Sequence, residues 1–236
     1  MADVSAPNDG GPGEPGLEFL ARVVAGQCHE LTNVCNVMTE LCGLHDDLLP
    51  RVGAGEPAAL AKLGDLPRRL QAQLVRGLAI IANVRRLARG VGAAGQAFDA
   101  GEVVAGAVFL AAREARLRQT SVVANVPEEP VALEGDPFRL QQAIHLGVEL
   151  LLVGAAPDGR ITVALEPDPA GIRVTLEGKD PVPRAAAAAA RLAVLGAVLQ
   201  AAAGEVRETP SHAVPARLVL WFPRRPAARG EVIDAA

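Results

Sequence analysis

A chain of 236 residues has room for one large domain or two small ones with real cores. Half of it is hydrophobic but only 3% is aromatic, with no Tyr, so the core must be built from Ala, Leu and Val. A formal net charge of -4 excludes a basic field for nucleic acid, and no apolar run reaches the ~18–20 residues of a membrane span.

Residues 1–16 are rich in Gly, Pro, Asp and Asn without periodicity and are expected to form a disordered tail. This start is acidic where a signal peptide would be basic and then apolar, so the expected location is cytoplasmic. A helix is predicted from Leu17 to about Leu49, with Pro50 as its stop. Its apolar residues repeat in heptads. One seam runs Ala21, Cys28, Cys35, Cys42, Leu49 and the other Leu17, Val24, Leu31, Met38, His45. Cysteines seven apart on a helix stand about 10.5 Å from one another, too far to share a metal ion. Here they are expected to serve as small buried hydrophobes in a reducing compartment. His45, at a seam position, is expected to be half-buried.

After a Gly/Pro loop over 51–57, a second helix is predicted from Ala58 to Gly90, re-angled near Pro67. Its seams are Leu63, Leu70, Gly77, Val84, Val91 and Leu74, Ile81, Ala88. Two long amphipathic helices and a short loop make an antiparallel hairpin over 17–91. One hairpin has too little to pack against, so a homodimer closing a four-helix bundle is the expected assembly.

Gly90 to Gly95 reads as a hinge, and a second domain is expected over 96–223, followed by a tail over 224–236. Phe98-Asp99 opens a helix to about Arg118, with Asp99 and Glu102 spaced as a capping box. Ser121–Val126 and Val131–Leu133 read as extended. Asp136 and Pro137 have the cap and first-position chemistry of a helix that runs to about Val153. Arg160–Glu166 and Gly171–Glu177 form a hairpin, Val182–Ala203 is an alanine-rich helix, and Glu205–Glu208 and Ala216–Phe222 complete a sheet. The fold class is α+β: a helical hairpin followed by helices packed on one face of a mixed sheet.

His29 lies about 100° round from the cysteine seam, with Glu30 beside it and Asn33 and Asn36 near it at i+4 and i+7. A neutral imidazole is a good nucleophile toward phosphorus. A neighbouring carboxylate such as Glu30 can hold one ring proton and so select the attacking nitrogen. Asn33 can hydrogen-bond a phosphoryl oxygen or a water. His145 and His212 have no evident partners and are given no role.

The run His29-Glu30-Leu31-Thr32-Asn33, with Met38-Thr39-Glu40-Leu41 after it, resembles the phosphoacceptor helix of two-component histidine kinases. About a hundred residues on, Gly135-Asp136-Pro137-Phe138-Arg139-Leu140-Gln141-Gln142 resembles the approach to the asparagine box of their ATP-binding domain. The resemblance implies that His29 accepts phosphate and that response-regulator receiver domains are the partners.

Three departures accompany the resemblance. The two asparagine positions fall on Leu146 and Leu150, which cannot ligate Mg²⁺. The Asp-x-Gly-x-Gly box falls on Glu177-Gly178-Lys179-Asp180-Pro181, where Glu177 stands at the adenine-binding position and the glycines that admit a nucleotide are lost. The Gly-rich lid around Pro183 to Arg191 becomes an alanine run. The expectation is therefore a degenerate histidine-kinase-type sandwich that binds no cofactor, most like stand-alone histidine phosphotransferases. Mg²⁺ would come from the receiver. The alternatives are a divergent kinase that still binds ATP and a pseudokinase that binds receivers without transfer.

Overall fold

The computed structural model describes residues 13–180, 186–208 and 216–224. Two compact units are present, one comprising Leu20–Arg85 and the other the remaining described residues.

The first unit is a helical hairpin cut from α1 (Gly13–Gly53) and α2 (Pro57–Gly90). Leu41, Leu48, Ala59 and Leu66 form its buried core, with Val37, Leu44, Val52, Leu63 and Leu70 packed around them. Both helices outrun their prolines. Pro50 lies one turn from the end of α1, where the lost N–H costs little, and Ala54 N still donates to Pro50 O at 3.0 Å. Pro67 is accommodated inside α2.

The seam of the hairpin differs from the sequence expectation. On α1 the expected residues Val24, Leu31 and Met38 are half-buried, but the cysteine row is replaced by one a residue earlier, Gln27, Val34, Leu41 and Leu48, with Glu30, Val37 and Leu44 half-buried beside it. Cys28, Cys35 and Cys42 are exposed in the single chain. His45 is exposed as well, its Nδ1 3.1 Å from Asp46. On α2 the row Leu63, Leu70, Gly77, Val84 is buried or half-buried as expected. The companion row is Leu66, Gln73, Ile80, Leu87, while Leu74 and Ile81 are exposed. Each helix carries two adjacent apolar rows, and heptad spacing alone does not say which one faces the partner within the chain.

The second unit holds a five-stranded sheet in the order β2-β4-β5-β7-β6. Its strands are β2 (Ser121–Asn125), β4 (Arg160–Asp168), β5 (Gly171–Gly178), β6 (Glu205–Glu208) and β7 (Ala216–Pro223). Only β2 and β4 run parallel. A separate ribbon pairs β1 (Gln96–Asp99) with β3 (Ala132–Gly135). Phe98 and Asp99 thus end a strand before the helix begins, because Gln96–Asp99 finds an antiparallel partner remote in sequence.

Helices α3 (Ala100–Leu117), α4 (Pro137–Leu152) and α5 (Ala186–Ala201) share one core with the sheet. Asp99 caps α3 by accepting from Gly101 N at 2.9 Å and also from Val131 N at 3.0 Å, which ties the helix start to the ribbon. Glu102 does not close the expected box; its carboxylate lies 3.5 Å from Arg86. Asp136 caps α4 by accepting from Arg139 N at 3.1 Å, with Pro137 at the first position. At Gly147 the helix meets the sheet so closely that a Cβ would lie 2.9 Å from Leu176 Cδ2 and 3.0 Å from Leu218 Cδ2. The sole tryptophan, Trp221 on β7, carries Arg207 of β6 over its ring at 4.4 Å. The helical start at Val182, His212 and both terminal tails lie mostly or wholly outside the described residues; of the expected first tail, Gly13–Gly16 belongs to α1.

Candidate functional site

The histidine motif sits in the hairpin unit. Position 29 follows the exposed Cys28 and precedes the half-buried Glu30, so the imidazole of His29 stands on the solvent side of α1. Asn33, Asn36 and Glu40 are exposed on turns that follow along that side. Thr32 donates its hydroxyl back to Cys28 O at 3.0 Å and leaves the neighbourhood of His29 open.

Glu30 has a second job. Its side chain is only 13% exposed, and its carboxylate accepts from Arg76 of α2 at 2.5 Å. The pair forms because position 30 belongs to the inter-helix row, where a carboxylate needs a donor. Beside it, Gly77 lets α2 approach: a Cβ there would sit 3.4 Å from Val34 Cγ1 and 3.7 Å from Leu31 Cδ1. A carboxylate has about four acceptor sites, so the pair with Arg76 still leaves capacity toward the ring of His29. Arg76 was missed from the sequence. Its signal was an arginine directly before a seam glycine.

The second motif lies in the sheet unit. Leu146 and Leu150 are buried in the core. The same core holds Ala188, Leu195, Val198 and Leu199 of α5. The alanine-rich helix α5 thus packs with α4 in this core.

Glu177 is exposed, opposite Thr162 and Arg217 in register. Its neighbours Leu176 and Gly178 point toward α4, where they approach Gly147 and Leu151. Alternation along the strand therefore puts Glu177 on the other face of the sheet from α4. Asp180, from the same box, accepts from Ala156 N at 3.0 Å and so braces a loop.

His145 is the clearest correction. It is buried, and its Nε2 lies 3.3 Å from Glu149 one turn on. Phe19 meets its ring edge-on at 5.3 Å. Gln142, also buried, donates to Pro15 O at 3.4 Å. A His-x-x-x-Glu spacing in an otherwise apolar helix was the available signal for this pair.

No protein-family model matches the chain, and no curated protein matches it in sequence. Among solved structures it is similar to the catalytic domain of histidine kinase ThkA, with a TM-score of 0.48 and 15% identity over 56% of this chain and 96% of that one. It is also similar to a histidine kinase from Burkholderia phymatum STM815, with a TM-score of 0.48 and 20% identity over 89% and 99%. A third is the histidine kinase AdeS from Acinetobacter baumannii, with a TM-score of 0.47 and 14% identity over 83% and 98%.

Proposed function

We propose that this chain is a histidine phosphotransfer protein of a two-component phosphorelay, passing a phosphoryl group between receiver-domain aspartates through His29. The observation that carries the reading is a contrast within one chain. A solvent-facing histidine has a carboxylate and two amides around it, while the positions expected to hold Mg²⁺ and nucleotide are leucines in a packed core.

The transfer is simple to balance. A ring nitrogen of His29 attacks the phosphorus of an aspartyl phosphate, a P–N bond forms, the P–O bond breaks, and the aspartate leaves as carboxylate. Glu30 orients the ring through its proton, and Asn33 hydrogen-bonds a phosphoryl oxygen. Such transfer needs positioning and charge stabilisation more than covalent chemistry from this chain, with Mg²⁺ supplied by the receiver.

A homodimer belongs to the same proposal. Cys28, Cys35 and Cys42 on α1, with Leu74, Leu78 and Ile81 on α2, form exposed rows beside the hairpin's own seam. A second hairpin would cover them as a four-helix bundle.

The test is incubation with a panel of phosphorylated receivers. The protein is expected to acquire label that is acid-labile and stable in base, as a phosphoramidate is, and His29→Ala is expected to acquire none. Label from ATP alone would instead establish a kinase. Binding of receivers without label would establish a non-catalytic module.

A further inference from the structure

Arg76 pairs with Glu30, yet it stands on the same side of the hairpin as His29. Glu30, Val34 and Gly77 belong to the seam between α1 and α2. A residue directly before a seam position lies about 100° round from it. In two antiparallel right-handed helices that turn leads to the same side of the pair. His29 precedes Glu30, Asn33 precedes Val34 and Arg76 precedes Gly77. The opposite side carries Cys28, Cys35, Leu74, Leu78 and Ile81, which the proposed dimer covers. The ion pair also sets the height: Arg76 reaches α1 at Glu30, one residue from His29 and three from Asn33.

The pair uses only part of the guanidinium. Nη2 donates to Glu30, the arginine side chain is 45% exposed, and a guanidinium has five N–H donors. Glu30 is held in the seam with its side chain 13% exposed, so the solvent side of the pair is the arginine's. The other charged side chains on this side of the hairpin are remote. Arg22 is seven residues from His29, and Arg69 is seven from Arg76, each about 10.5 Å along its helix; Glu40 is eleven residues from His29.

We propose that Arg76 binds the phosphoryl group carried by His29, leaving Glu30 for it once the imidazole is phosphorylated. A phosphoryl group brings about two negative charges and three acceptor oxygens, against one charge on the carboxylate. A guanidinium fork fits such oxygens two at a time. Asn33 of α1 and Arg76 of α2 then hold the group from two directions. The inference rests on His29 as the phosphoacceptor, and its weight falls on the phosphorylated state.

The test uses potassium phosphoramidate as donor, so that no receiver is needed. A ring nitrogen of His29 takes the phosphoryl group, the donor's own P–N bond breaks and ammonia leaves. Mass spectrometry of peptides locates the label, and His29→Ala supplies the background. Phosphorus NMR then follows the titration of the phosphoryl group. An adjacent guanidinium favours the dianion, so Arg76→Gln should raise the pH of that titration by at least about half a unit, with Arg76→Lys between it and the parent. The shift should persist in a Glu30→Gln background, where a role exercised only through Glu30 would vanish. Should Arg76→Gln lose helicity by circular dichroism, Arg76→Lys carries the comparison. No shift, a shift that disappears without Glu30, or failure of phosphoramidate to label His29 overturns the assignment. Receivers that never label the parent would instead remove the transfer reading and leave this measurement standing.

Discussion

At the scale of single residues, Glu30 has two neighbours competing for it. It adjoins the proposed nucleophile in sequence and pairs with Arg76 in space. Glu30→Gln is expected to slow transfer from phosphorylated receivers by about 10²–10⁴-fold, the usual range for an orienting or general-base group. Arg76→Gln removes the ion pair and keeps the carboxylate, so its loss should stay under about tenfold in single-turnover transfer. Equal losses in the two variants would mean that Glu30 works only through the pair. The sequence offers His29, Glu30 and Asn33 as candidates because they fall within about one turn of one helix. It concealed Arg76 because the partner lies on the other arm of the hairpin.

At the scale of elements, the two helices were legible and their facing only in part. Heptad periodicity specifies that an apolar row exists, and α1 has two such rows one residue apart. Val34, Leu41 and Leu48 are buried within the chain, while Cys28, Cys35 and Cys42 are left outward. That division makes the dimer proposal sharper. Cys35→Glu is solvent-facing in a lone hairpin and should barely change its stability, by under ~0.5 kcal/mol. In a dimer it would bury an unpaired charge and weaken association by several kcal/mol. Light scattering at micromolar concentration should therefore find a dimer for the parent and a monomer with unchanged helicity for Cys35→Glu. A parent monomer, or a Cys35→Glu dimer, removes these rows from the interface. Pro50 teaches a related lesson: a proline near a helix end is a weak stop, because few hydrogen bonds remain to be lost.

At the scale of the whole molecule, the α+β class and the order of elements were readable from period, caps and turns, and Asp136-Pro137 marks its helix start as expected. The β1–β3 ribbon was not readable, because Gln96–Asp99 lacks alternation and depends on a partner more than thirty residues away. Nor was the close approach at Gly147, since a glycine inside a helix declares no neighbour. Leu146 and Leu150 are apolar in the sequence, and both are buried in the core that α5 shares. Replacing both Leu146 and Leu150 with Asn should therefore destabilise this unit by roughly 2–5 kcal/mol per site without creating affinity for an ATP analogue. Calorimetry and a melting curve check both halves of that statement. Unchanged melting with gained nucleotide binding would show an open pocket behind these leucines.

The cation stacked on Trp221 has an optical consequence. With no tyrosine and a single tryptophan, nearly all intrinsic fluorescence originates at the β6–β7 edge of the sheet unit, while the hairpin contributes none. Helical dichroism, by contrast, draws on both units, and α1 and α2 supply its longest helices. The chain thus carries its own pair of local and global reporters. Emission follows the sheet unit alone, dichroism follows the whole, and any gap between the two transitions measures how far one unit unfolds without the other.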